Sequence, residues 1–346
     1  MTTDSSPVDP VAECGCVAVS TPTAVVRLSW AACTHTGNRR SLNEDSLCVA
    51  PPVFLIADGM GGHQSGEVAS ALAAGAMKSL LSSDGVDPVV LEDAVRDTNR
   101  LIRSKSAGGS RPMGTTLTGM AVANARVPMA AVVNVGDSRT YLFQGGVLSQ
   151  ITTDHSHVQE LIDHGLLTPE DARRHPDRNV VTRALGVDVD VELDLLLLPL
   201  SPGQRWIACS DGLSSELEHA EFQVLASGAT SEHVVIDLLA AVLAGAARDN
   251  VSALVVDVVS VEPTDDVADP RWHDDITQPN RRVVGRQLDR DLPADTVVDD
   301  VPGVTGRASA SVPASAAPDL PGVSELIDSV PSPWPPPPAV PAAKEA

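Results

Sequence analysis

Three apolar runs in this chain end at an aspartate beside a glycine, and that pattern limits what it can fold into. Val53-Phe-Leu-Ile-Ala57 leads into Asp58-Gly59, Ala130-Ala-Val-Val-Asn-Val135 into Gly136-Asp137, and Trp206-Ile-Ala-Cys209 into Ser210-Asp211-Gly212. Apolar runs of this length bounded by glycine predict buried strands, and the Asp-Gly pairs predict tight turns behind them. Each run then delivers a carboxylate to the end of a sheet. Several such ends gathered together make an all-oxygen cluster, which suits hard divalent cations such as Mg2+ or Mn2+. A single Asp-Gly is merely a turn. Here the series is ordered, opening with Arg40-Ser-Leu-Asn-Glu44-Asp45 and closing with Asp249-Asn250.

The core that buries these runs is aliphatic, because apolar residues make up 43 % of the 346 but aromatics only 2 %. A formal net charge of −22 argues against nucleic acid or an anionic membrane surface as a partner. No stretch reaches the length of a membrane-spanning helix, and Met1-Thr-Thr-Asp4 lacks the basic start of a secretory signal. Cys14-Gly-Cys16 has the wrong spacing for a zinc or dithiol pair, while Cys48 and Cys209 sit in apolar runs as small core residues. These features predict a reduced, cytoplasmic monomer.

Composition divides the chain. Residues 1–24 read as a flexible lead-in and 25–262 as the compact part. The remainder, 263–346, reads as a disordered acidic tail. From Val261 onward there are 15 of the 27 prolines, with 15 acidic and 7 basic residues and no apolar periodicity. Such a segment cannot bury enough surface to offset its ordering entropy. Trp334 lies within Pro331-Ser-Pro-Trp-Pro-Pro-Pro-Pro338, a stiff stretch suited to docking in an aromatic-lined groove. Within the compact part, strands are expected at 47–57, 115–123, 130–136, 139–144, 191–198, 204–209 and 251–259, with a hairpin at Gly145-Gly146. Helices are expected at 67–81, 88–105 and 230–246, the second with Val90, Leu91, Ala94, Val95, Leu101 and Ile102 on one face. Many antiparallel strands with a few long helices predict an α+β layered fold.

The motif series resembles the metal-dependent Ser/Thr protein phosphatase family (type 2C) in its bacterial form, over about residues 25–260. The resemblance is carried by Thr34-His-Thr-Gly-Asn-Arg-Arg-Ser-Leu-Asn-Glu-Asp-Ser46, Ala57-Asp-Gly-Met-Gly-Gly-His63, Met113-Gly-Thr-Thr116 and Val135-Gly-Asp-Ser-Arg139. It continues through Ile151-Thr-Thr-Asp-His-Ser156, Thr182-Arg-Ala-Leu-Gly186, Cys209-Ser-Asp-Gly-Leu213 and Asp249-Asn-Val251. It implies two packed antiparallel β-sheets flanked by helices on both sides, a four-layer αββα sandwich with its metals in a cleft at the sheets' end. It also implies hydrolysis of phosphoserine and phosphothreonine in proteins by a hydroxide bridging two Mn2+ or Mg2+ ions. The substrates would be targets of a Ser/Thr kinase, or the kinase itself.

By resemblance Asp58 bridges both ions, the carbonyl of Gly59 ligates one of them, and Asp211 and Asp249 complete the other. Glu44 lies on the second ion's side, directly or through water, Asp45 orients a metal-bound water, and Asp137 shares a weaker third position with Asp211. Arg40 grips the substrate phosphate, as a guanidinium can with two oxygens at once; Arg39 reads as a surface charge. Met60 stands where many eukaryotic members carry the histidine proposed as general acid. That leaves His63 or a metal-bound water for the task. The segment 154–186 corresponds to the flap beside the active site, and its four histidines fit no common zinc spacing. Two other readings stand beside this one: the same chemistry on one narrow regulatory partner, and a catalytically dead scaffold working through its tail. The intact Asp58, Asp211 and Asp249 weigh against the scaffold.

Overall fold

A computed structural model of the chain describes residues 12–61, 65–107, 113–264 and 281–284. His63, the tail's Trp334 and residues 1–11 lie outside the described residues.

Strands β1 (Ala12–Ser20), β2 (Ala24–His35), β3 (Asp45–Ala50) and β4 (Val53–Met60) come first, followed by helices α1 (Ser65–Met77) and α2 (Pro88–Ala107). The short β5 (Gly114–Thr115) leads to β6 (Leu117–Ala123), β7 (Met129–Val135), β8 (Arg139–Gln144) and β9 (Val147–Gln150). Helices α3 (His157–Asp163) and α4 (Pro169–Ala172) precede β10 (Asp194–Pro199) and β11 (Arg205–Cys209). Helices α5 (Asp211–Ser214), α6 (His219–Ala226) and α7 (Ser231–Ala244) lead to β12 (Val251–Pro263), and β13 (Arg281–Val284) comes last. One antiparallel sheet runs β1-β2-β12-β11-β8-β9. The other runs β13-β10-β7-β6-β4-β3, with β5 paired to β4.

Period-two alternation explains the layering. On β4, Phe54 and Ile56 point between the sheets, while Val53, Leu55 and Ala57 point outward under α1 and α2. On β12, Leu254, Val256 and Val258 face between the sheets, and Val251, Ala253 and Val255 face the layer of α5, α6 and α7. Three cores therefore separate four layers, helix–sheet–sheet–helix. The central one is mostly aliphatic, with Trp206 and Phe54 as its fully buried rings and Trp30 packed against Phe54.

Several elements depart from the sequence reading. The stretch 47–57 is a hairpin and not one strand, because Pro51-Pro52 cannot donate to a ladder and forms the turn. Strand β2 was not foreseen, although it pairs with both β1 and β12. Its burial does not alternate cleanly, so a period-two pattern is hard to see in Ala24–His35. Residues 12–20 of the expected lead-in form β1. Arg281–Val284, beyond the expected boundary at 262, pairs with β10. On α2, Leu91, Val95 and Ile102 are fully buried, but Val90 and Leu101 are exposed. The apolar stripe is narrower than hydrophobicity alone suggests, and Thr98 and Asn99 complete the inward face. Gly145 and Gly146, both at positive φ, turn the β8–β9 hairpin as expected.

Candidate active site

The strand ends of both sheets meet at one end of the sandwich, and the acidic motifs meet with them. Asp45 begins β3 and stands opposite Asp58 near the end of β4. Asp137 follows β7, Asp211 opens α5 directly after β11, and Asp249 precedes β12. Asp58, Asp211 and Asp249 keep partial exposure, whereas Asp45 and Asp137 are buried.

Burial, followed by repulsion from Asp45, Asp211, Asp137 and Asp249, drives the Asp58 carboxyl well above its ordinary range. Burial and the charge of Asp211 push Asp137 up to about 8. Asp45 rises to about 7, chiefly by burial and against the hydrogen bonds of Ser252 and Ser210. Burial and Asp249 raise Asp211 to about 6, opposed by a hydrogen bond with Asp58 and the nearby Arg40. Burial comes first in all four shifts, and the like charges gathered beside each group add to it.

The backbone around these carboxylates is held by a polar frame. The Asn43 amide donates to Thr34 Oγ1 at 2.8 Å, Thr34 Oγ1 meets Ser252 Oγ at 2.7 Å, and Ser252 donates to Asp45 Oδ2 at 2.6 Å. Because the Ser252 proton goes to Asp45, Thr34 is the donor in the middle bond, and the relay runs one way. The Thr116 N–H and the Thr115 hydroxyl both donate to the Asp58 carbonyl, at 2.8 and 2.9 Å. Thr116 Oγ1 in turn accepts the Asp58 N–H at 3.0 Å. Asn250 donates to the carbonyls of Thr36 and Leu42 and accepts the Glu44 N–H at 2.8 Å, fixing the loop of Arg40 and Glu44 to β12. Asn250, Ser252 and the Thr115-Thr116 pair were not singled out as parts of the site. Their only sequence signal is adjacency to the acidic motifs, since their partners lie far away along the chain.

Two of the glycines beside the aspartates, Gly59 and Gly212, serve close approach and not the expected turns, whereas Gly136, at φ +108°, does lie in a turn. Gly59 lies within β4, and a Cβ there would come 2.2 Å from the carbonyl oxygen of Gly66 in α1. A Cβ on Gly212 would meet the Asn250 oxygen at 2.0 Å. Glycine is thus required for packing the motifs against each other.

Arg40 sits half-exposed at the rim, donating to Asp249 Oδ2 at 2.7 Å with Glu44 Oε2 at 3.8 Å. Arg139 holds Asp154, at the start of the segment 154–186 expected to form the flap, through contacts of 2.6–3.0 Å. Met60 continues β4 beside Gly59 and its thioether has no proton to give.

Among the described residues, no three His, Cys, Asp or Glu side chains surround one point as a metal-ligand group. Asp249 faces Arg40 instead, and part of the implied ligand set is the backbone oxygen of Gly59. The surroundings nevertheless fit divalent cations. Among the described residues Glu44 Oε1 and Asp45 Oδ1 are buried without a hydrogen-bond partner. Unpartnered buried carboxylate oxygens beside mutually repelling aspartates are what a hard cation neutralises.

The family model for protein phosphatase 2C matches residues 38–253. Serine/threonine protein phosphatase PstP of Mycobacterium tuberculosis is 39 % identical over 242 residues, 68 % of this chain and 46 % of PstP. This chain thus spans about half the length of that relative. Serine/threonine phosphatase stp of Listeria innocua is 34 % identical over 239 residues, 65 % of this chain and 93 % of its own. The crystal structure of M. tuberculosis PstP superposes with a TM-score of 0.62 at 35 % identity, covering 68 % of this chain and 99 % of that one. The PstP catalytic domain has also been solved in complex with two manganese ions, and it superposes with a TM-score of 0.61 at 35 % identity over the same shares. The chain belongs to the protein phosphatase 2C family, and its fold is that family's four-layer αββα sandwich.

Proposed function

We propose that this chain is a Mn2+- or Mg2+-dependent phosphatase that removes phosphate from phosphoserine and phosphothreonine in proteins. The observation that carries this reading is the meeting of Asp45, Asp58, Asp137 and Asp211 at one end of the sandwich, with Arg40 at the rim. Family membership and the two manganese ions in PstP support it. Among the described residues no helix is long and apolar enough to cross a membrane. The reading extends to signalling in the cytoplasm, as a monomer opposing a Ser/Thr kinase; the charge of −22 disfavours an anionic membrane surface as partner.

Asp58, the Gly59 carbonyl, Asp211 and Asp249 would hold two divalent ions, with Glu44 beside the second and Asp137 with Asp211 at a weaker third position. When bound, such ions supply an activated water and screen the charge of the phosphoryl group. The chain's own residues do the rest. Arg40 exchanges Asp249 for two oxygens of the substrate phosphate, orienting the phosphorus toward the cleft floor. Asp45, fixed by Ser252, keeps one carboxylate oxygen free to accept a hydrogen bond from water on that floor. The four-layer core holds the acidic side chains against their mutual repulsion, so the site is formed before substrate arrives.

Turnover of p-nitrophenyl phosphate and then of a phosphothreonine peptide, with Mn2+ and again after EDTA, tests the reading. Activity that needs added metal supports it. Undiminished activity in EDTA after dialysis, or none on either substrate with metal, sinks it.

A further inference from the structure

The turn that delivers Asp137 is held from outside by a residue of the flap's root. His155 is buried, 6 % exposed, and it meets Gly136 twice. Its backbone N–H donates to the Gly136 carbonyl at 2.9 Å, and its ring Nδ1 accepts the Gly136 N–H at 3.1 Å. Gly136 has φ of +108°, a conformation that only glycine adopts readily, so this turn needs external support to keep one geometry. The carbonyl of His155 accepts the Thr182 N–H at 2.8 Å, which ties the same residue to the returning end of the flap segment.

The ring geometry fixes the tautomer. An amide N–H only donates, so Nδ1 must be the bare nitrogen and Nε2 carries the proton. Nε2 faces Asp194 Oδ2 at 3.4 Å. An Arg183 nitrogen also lies 3.3 Å from Nε2, but two donors cannot bond, and Asp194 is the acceptor in that corner. Next door, Arg139 clamps Asp154, so two consecutive flap residues grip the segment Gly136–Arg139.

We infer that His155 is a positioning residue. Its Nδ1 fixes the Gly136–Asp137 turn and so makes the flap's root and the carboxylate of the weakest cation position one mechanical unit. The inference rests on the metal-dependent reading above, and it goes further by assigning control of that position to the flap. Loss of such an outer hydrogen bond typically lowers metal affinity by about 10–100-fold.

Two substitutions separate the ring's two edges. His155→Asn places an amide oxygen near the Nδ1 position and can still accept the Gly136 N–H. His155→Gln places its polar group farther out and cannot. Calorimetric titration of the full chain with Mn2+ should show the weakest association reduced about tenfold or more in the Gln variant and largely retained in the Asn variant. In the metal-free wild type, 15N correlation of the His155 ring should show a bare Nδ1 and a protonated Nε2. Equal Mn2+ isotherms for both variants and wild type, or a proton on Nδ1, would overturn the inference. Should the variants fail to fold, the wild-type tautomer decides it. If wild type binds Mn2+ and the variants behave as expected, yet no phosphoester is hydrolysed, the proposed function fails while the positioning role stands.

Discussion

The guanidinium of Arg40 donates to Asp249 Oδ2 at 2.7 Å, so the cleft's rim cation and one of its candidate metal ligands hold each other. On the proposed roles, both change partners when an ion and a phosphate arrive. That bond is half-exposed, which keeps its own worth small and the exchange easy.

Replacing Arg40 with Ala should therefore act on substrate and metal in opposite senses. KM for p-nitrophenyl phosphate should rise and kcat/KM should fall by about 10–100-fold, the range of a lost charge-assisted contact of about 1.5–3 kcal/mol. Mn2+ affinity should hold or improve, since Asp249 is released. Steady-state kinetics paired with calorimetry reads both. Unchanged KM, kcat and phosphate inhibition would shift the role to Arg39.

Asp58→Asn should abolish turnover and stabilise the metal-free chain. The substitution keeps shape but removes a carboxylate that burial, and then the charges of its neighbours, disfavour. Relief of about 1 kcal/mol corresponds to a Tm gain of about 2–4 °C for a domain of this size. Wild type should gain far more from Mn2+, about 4 kcal/mol at a thousandfold excess over Kd, and the variant should lose most of that response. Differential scanning fluorimetry with and without Mn2+ checks both halves; a metal-free variant that melts below wild type contradicts the crowding argument.

Neighbouring apolar residues on α2 should differ sharply. Ile102 is fully buried against the outer face of the second sheet, whereas Leu101 is 38 % exposed. Ile102→Ala should cost about 2–4 kcal/mol and Leu101→Ala about 0.5 kcal/mol or less by urea denaturation. Equal costs would mean that α2 is rotated from the position described.

Truncation tests the domain boundary. A chain ending at Glu262 lacks β13, leaving the outer edge of β10 unpaired. It should retain turnover of a small aryl phosphate, because β13 supplies none of the candidate site residues, and it should melt a few degrees below a chain ending at residue 285. Identical melting of the two would place the stable boundary at 262, as composition alone suggests.

Much of the candidate site was legible because its sequence signals are local. Asp58-Gly59, Gly136-Asp137 and Asp211-Gly212 each follow an apolar run, and a run ending in an acid implies where that acid goes. Helix α7 was legible for the same reason: Thr230 caps it by accepting the His233 N–H, and its apolar stripe follows directly. Strands β1 and β13 were not. Each is short or weakly patterned and exists through its partner, β2 in one case and β10 in the other. The face of α2 was half legible, since hydrophobicity marks Leu91 and Leu101 alike and only the sheet beneath chooses between them.

What the sequence determined by itself was the set of strand-terminal carboxylates, the aliphatic layered core and the order of the motifs, because adjacent residues and alternation encode these. What only the tertiary structure decided was how the set is held. Ser252 donates to Asp45 across 207 positions, Asn250 accepts the Glu44 amide across 206, and Gly59 makes room for Gly66. Hydrogen bonds and close packing act over a few ångströms of space whatever the separation in sequence. Residues with no pattern of their own become necessary once the two sheets bring them into contact.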